Sequence, residues 1–190
     1  DMVDAYYAAD HANNTNNGNG YGIQMKVSVS ATASSCYYGT LNMTGGTINV
    51  ISDRTKKANL YNYGIYLEAV ATGVGAGKTA TDGTLSQKAS AKASIENANI
   101  TVHSNTYYSY GIIVYGSYNS YDNEYFTVPI KNCNIDVQAY LYTYAICANA
   151  AVNSTYGGCY WGDVELTGNT VTAESVTAST AYAVYVLAAT

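Results

Sequence analysis

The chain has 190 residues, a length that fits one domain or one repeat array. Only 11% of its residues are charged and the net charge is −5, which argues against nucleic acid or an anionic membrane as a partner. No run approaches the roughly 18 apolar residues that would cross a bilayer, so membrane insertion is not expected.

The aromatic usage is lopsided, with 22 Tyr against one Phe and one Trp. A phenol can bury its ring while its hydroxyl stays wet or hydrogen-bonded. A surface of Tyr, Ser, Thr and Asn with little charge suits a protein covered by neighbours or by glycan. The chain opens on Asp1 with no charged-then-apolar leader and reads as a mature or trimmed product.

In chain order, residues 1–20 run from MVDAYYA into NNTNNGNG at Asn13 and read as a partial first repeat followed by an Asn-rich loop. From Tyr21 two short patterns alternate strictly. One is YGIQM at Tyr21, YGIYL at Tyr63, YGIIV at Tyr110, YAICA at Tyr144 and YAVYV at Tyr182. The other is MTGGTINV at Met43, IENANITV at Ile95, IKNCNIDV at Ile130 and LTGNTVTA at Leu166, spaced 52, 35 and 36 residues apart. The long first interval holds a Gly-, Thr- and Ser-rich loop insertion over residues 71–88.

Both patterns carry the period of two that belongs to strands. That period predicts Tyr63, Ile65 and Leu67 on one face, and Tyr110, Ile112 and Val114 likewise. The Gly or Asn pair in the second pattern is turn chemistry, suited to φ > 0 at a corner. Each repeat therefore reads as strand, tight corner, strand, loop, strand, loop. Three short strands per roughly 35-residue repeat describe one coil of a parallel β-helix, right-handed by the usual crossover preference. The expected architecture is all-β, a single β-helix domain over 1–190 with about four to five coils. A β-sandwich is the alternative, but it gives no reason for Tyr-Gly-Ile to recur at equivalent places.

Stacked coils predict ladders of equivalent residues: Met43/Ile95/Ile130/Leu166, Ile48/Ile100/Ile135/Val171 and Ile23/Ile65/Ile112/Ile146/Val184. The same alignment predicts a tyrosine ladder of Tyr21, Tyr63, Tyr110, Tyr144 and Tyr182. Opposite it, Gly22, Gly64, Gly111, Ala145 and Ala183 are expected to form an outward groove of small residues. Ile113 is expected to face outward and to tolerate truncation better than Ile112. Pro129, beside the inward Ile130, cannot donate to a ladder and predicts an irregular coil boundary.

This alternating pattern resembles the repeats of bacterial extracellular parallel β-helix proteins of the pectin-lyase-like type, especially non-catalytic adhesin and surface-layer arrays. The resemblance spans nearly the whole chain and implies a solenoid at an extracellular or cell-surface location, more than any activity.

Chemistry-bearing residues are sparse. Cys36, Cys133, Cys147 and Cys159 allow three complete pairings, and Cys147 with Cys159, flanking one loop, is the bridge to expect first. Thr72–Thr79 (TGVGAGKT) ends like a phosphate-binding loop but lacks its first Gly and a following helix, so it reads as a surface loop. Asp136 and Glu174 fall roughly 8 Å apart by strand spacing, within the range of an inverting glycosidase pair. No Lys or Arg joins them, and they read as solvated carboxylates. His11 and His103 join no Cys or carboxylate at metal-ligand spacing, so no catalytic set, metal or cofactor is expected. Sequons mark Asn13, Asn42, Asn99 and Asn153 as candidate glycosylation sites.

The function expected is that of a structural subunit of an extracellular filament or surface layer, a homopolymer assembled head-to-tail through β-helix ends. The alternative is an adhesive, carbohydrate-binding surface module that uses outward tyrosines such as Tyr66 and Tyr185, with glycans as partners. A polysaccharide hydrolase or lyase built on Asp136 and Glu174 ranks third.

Overall fold

The computed structural model describes residues 2–7, 19–29, 35–52, 60–71, 87–118, 125–152 and 161–189. The first turn of the chain holds β1 (Met2–Tyr7), β2 (Gly20–Val29) and β3 (Ser35–Thr44). The second holds β4 (Thr47–Ser52), β5 (Tyr61–Ala71) and β6 (Gln87–Glu96). The third holds β7 (Asn99–Ser104), β8 (Tyr108–Tyr118) and β9 (Tyr125–Lys131). The fourth holds β10 (Asn134–Ala139), β11 (Tyr142–Val152) and β12 (Trp161–Thr167), and β13 (Thr170–Ser175) and β14 (Thr180–Ala189) begin a fifth. No helix occurs among the described residues.

Every third strand is a hydrogen-bonded neighbour. Sheet A runs β1-β4-β7-β10-β13, sheet B runs β2-β5-β8-β11-β14 and sheet C runs β3-β6-β9-β12. All pairings are parallel, so the chain is a parallel β-helix with three strands per coil. The inserted loop is shorter at both ends than 71–88, since β5 runs through Ala71 and β6 already includes Gln87 and Lys88.

Register follows the repeat. Ile48, Ile100, Ile135 and Val171 stack in sheet A, Met43, Ile95, Ile130 and Leu166 in sheet C, and Ile23, Ile65, Ile112, Ile146 and Val184 in sheet B. The three central isoleucine rows meet in one core with Val50, Val102, Val137 and Leu67. Each inward residue of the interior strands is sandwiched between its equivalents one coil away, which is how a solenoid buries surface without a globular centre.

The corner between sheets C and A repeats a left-handed residue in every coil: Gly45 (φ 74°), Asn97 (φ 55°), Asn132 (φ 52°) and Gly168 (φ 66°). Gly and Asn are the residues that enter this region at least cost. The corner backbone stays in the ladder, with Asn97 N donating to Lys131 O at 2.9 Å and Asn132 N to Thr167 O at 2.8 Å. Pro129 lies inside β9, and there the pairing to β6 shrinks to Ile95↔Ile130 and Glu96↔Lys131, while β3 and β6 pair over ten residues. Pro129 offers no N–H to that ladder.

Sheet B departs from the expected alternation. Ile65 and Leu67 point into the core, but Tyr63 does not share their face; it packs in a separate cluster with Tyr66, Ile113 and Cys147. Gly64 points inward as well. A Cβ there would stand 2.6 Å from Ile100 Cγ2 and 2.5 Å from the Gly111 carbonyl oxygen. Two successive residues, Gly64 and Ile65, thus face the core, and the pairing skips residues 64, 111 and 145 in register. Each strand carries the same local bulge, one residue against one, stacked from coil to coil. The row of small residues is therefore no outward groove. Gly22, Gly64 and Gly111 are small because the bulge presses backbone onto sheet A, against Ile48 and Val50, Ile100 and Val102, and Ile135 and Val137.

The tyrosine face of sheet B, a candidate functional site

The bulge turns Tyr63 and its equivalents to the outer face of sheet B. There Tyr21, Tyr63, Tyr110, Tyr144 and Tyr182 stack with ring centroids 5.0, 5.1, 4.9 and 5.4 Å apart. A second stack lies two residues earlier: Tyr61 is 4.5 Å from Tyr108, and Tyr108 is 4.9 Å from Tyr142. Tyr61 also sits 6.2 Å from Tyr63, which joins the two stacks. Tyr66 crosses the ladder edge-on, 5.6 Å from Tyr21 and 5.0 Å from Tyr63. Tyr185 does the same 5.4 Å from Tyr144. Each such pair adds roughly 0.5–1.5 kcal/mol beyond area burial.

The inward residue between the two stacks is polar in every central coil: Asn62, Ser109 and Thr143, all buried. Asn62 Nδ2 donates to Thr106 Oγ1 at 2.7 Å. Ser104 Oγ lies 3.0 Å from Thr106 Oγ1 and 2.8 Å from Ser109 Oγ, and Thr143 Oγ1 donates to the Glu174 carbonyl at 2.7 Å. These bonds satisfy groups that would otherwise be costly to bury, and they fix the entry of each tyrosine strand.

Burial dominates the electrostatics of the face. It raises the phenols of Tyr63, Tyr66 and Tyr110 well above their ordinary value, with smaller upward contributions from charged or phenolic neighbours. Ile113 faces outward as expected, but it is buried against these rings rather than open to solvent. Cys147 is a free, buried thiol, which departs from the expected bridge to Cys159. Its place in register above Ile113 puts it under the tyrosines, and burial pushes it up to about 11. Cys159 lies outside the described residues.

One charged group interrupts the face. Glu68 is buried, and its Oε2 accepts from the Tyr66 hydroxyl at 3.0 Å and lies 2.9 Å from Lys26 Nζ. Nothing in the repeat pattern singled out this trio, though Lys26 and Glu68 are register partners.

The other expected sites fall elsewhere. Asp136 lies on the outer face of sheet A, where its Oδ2 is 2.9 Å from His103 Nε2. Register places His103 across from Gln138, so it reaches Asp136 along the diagonal, a single contact that the sequence spacing did not show. Glu174 is exposed and registers with Gln138, and no bond joins it to the His103–Asp136 pair. Among the described residues, no group of three or more His, Cys, Asp or Glu side chains could hold a metal ion. Asn42 and Asn99 are exposed, as glycosylation requires, while Asn13, Asn153 and the Thr72–Thr79 loop lie outside the described residues.

No protein family matches the chain, and neither does any curated protein or solved structure. The class defined here is thus a fold class, the parallel β-helix, carrying a stacked tyrosine face.

Proposed function

We propose that the chain is a structural, self-associating solenoid of an extracellular or cell-surface assembly, in which copies join end to end in register. The observation that carries this reading is the state of β14. Val186 registers with Ala148, Val114 and Leu67, all inward and buried, yet it is 71% exposed, and Val184 is 45% exposed. Tyr182, in the last rung of the tyrosine ladder, is 41% exposed. The opposite edge of sheet B is β2, whose Tyr21 and Ile23 occupy the same two rows. A second copy laid edge to edge would continue both rows, and such a head-to-tail contact propagates rather than closes. Low charge leaves little repulsion against it.

The test is sedimentation and electron microscopy of the purified chain beside a V184K/V186K variant with unchanged circular dichroism. End-to-end rods that disappear in the variant are expected. A monomeric chain, or rods that persist in the folded variant, would overturn the reading.

A second reading, adhesion to glycans, is favoured by one geometric detail. Ladder rings cover one another's faces, whereas Tyr66 and Tyr185 lie across the stack. Glycan-array binding lost in Y66A/Y185A would support it, and an array without signal would remove it.

A further inference from the structure

We propose that Tyr66 is a redox site, where one-electron oxidation of the tyrosine stack comes to rest as a neutral phenoxyl radical with its proton held by Glu68.

A phenol that gives up an electron becomes a strong acid, and the radical settles where a base is waiting for the proton. Tyr66 has such a base in place, because its hydroxyl donates to Glu68 Oε2 at 3.0 Å. Glu68 is 7% exposed, so water competes little for that carboxylate. Hydrogen bonds to an ionised acceptor are strong, more so where the local dielectric is low. Lys26 Nζ, 2.9 Å from the same oxygen, holds the carboxylate in place beside the phenol. Burial and the bond to Glu68 hold the phenol protonated well above neutral pH, so the proton leaves with the electron rather than before it.

The route to Tyr66 is the ladder. Its ring is 5.0 Å from Tyr63, and steps of 5.1, 4.9 and 5.4 Å lead through Tyr110 and Tyr144 to the exposed Tyr182. The co-reactant is a one-electron oxidant of the high-potential metal-complex class. When it meets Tyr182 it takes one electron, and Tyr182 loses its proton to water. Tyr182 then regains an electron through the stack and a proton from water. At the far end the O–H bond of Tyr66 breaks, its proton bonds to Glu68 Oε2, and the unpaired electron stays on the Tyr66 ring. One electron has left the protein, the oxidant is reduced by one, and the net change in the protein is oxidation of Tyr66.

The experiment is flash oxidation of the full chain with photogenerated ruthenium(III) tris-bipyridine, read by phenoxyl electron paramagnetic resonance and optical decay. In Y66F the long-lived phenoxyl signal should fall by about tenfold or more, and E68Q should shorten its lifetime by a similar factor, the change that 1.36 kcal/mol in a barrier produces. Y142F, on the second stack, should leave both unchanged. In D2O the wild-type rate should drop and the E68Q rate should drop less. Melting curves confirm that each variant is folded. Should Y66F fail to fold, E68Q carries the test alone, since it keeps the side chain's size and an acceptor oxygen. A signal of unchanged yield and lifetime in folded E68Q would overturn the proposal.

Discussion

β8 and β14 are written in the same grammar, Tyr-Gly-Ile-Ile-Val against Tyr-Ala-Val-Tyr-Val, and meet different fates. Ile112 and Val114 are buried, while their register equivalents Val184 and Val186 stand in solvent. The difference does not lie in the residues. β8 has a rung on either side and β14 has one on a single side. In a solenoid, burial belongs to the position in the stack, and equivalent residues are worth different amounts in the middle and at the end.

The largest test of that contrast is alkaline. Burial raises the phenols of the central rungs above the ordinary value of 10.0. A group whose folded value is raised contributes stability that is complete below its unfolded value and lost as pH climbs through the folded one. Unfolding free energy should therefore hold steady up to about pH 10 and fall beyond it, as unfolded phenols release protons that folded ones retain. Denaturant titrations across that range should show Tyr110→Phe flattening the loss. An unchanged slope would mean that the face is wetter than its packing implies.

Next in size is truncation. Ile112→Ala should cost about 2–5 kcal/mol, as other fully buried deletions do. Val184→Ala, the same row at the end, should stay within about 0.5 kcal/mol, like a surface change. Equal losses in a monomeric sample would erase the distinction between middle and end; a large loss at Val184 confined to assembled material would locate the joint.

The smallest effect concerns the bulge. Gly111→Ala places a Cβ 2.5 Å from the Ala145 carbonyl oxygen, 2.7 Å from Ile135 Cγ2 and 2.9 Å from Val137 Cγ2. Overpacking of this kind costs about 1–3 kcal/mol. Combined with Val137→Ala, it should lose less than the two changes summed, since they share one contact. Strict additivity would show that the glycine is not there for room.

Register was legible in the sequence because the repeat carries it. Once Met43, Ile95, Ile130 and Leu166 are aligned, every stacked row in all three sheets follows, as do the left-handed corners at Gly45, Asn97, Asn132 and Gly168. The side of the sheet on which Tyr63 lies was not legible, because a period of two assumes no bulge and Gly64 supplies one. The second tyrosine stack did have a signal. Tyr-Asn-Tyr-Gly at Tyr61, Tyr-Ser-Tyr-Gly at Tyr108 and Tyr-Thr-Tyr-Ala at Tyr142 place one more tyrosine and one small polar residue ahead of each ladder rung. The Tyr66–Glu68 bond and the His103–Asp136 pair had none. They depend on which rotamer reaches a neighbour, and the repeat pattern does not encode that.

The stacked bulge also decides which segments of this rod can be copied. Gly64 and Gly111 each sit beneath an Ile/Val pair of the following coil. The next elbow is Ala145, and the equivalent pair above it is the smaller Val171 and Ala173. Inserting a second β7–β9 segment would put a glycine elbow under Ile100 and Val102, as already happens at Gly64, and the rod would lengthen by a coil. Inserting a second β10–β12 segment would instead put Ala145 under Ile135 and Val137, where Gly111 now sits. That duplication requires Gly at position 145 of its first copy, so the rod grows freely from its interior coils and only with an edit from its last complete one.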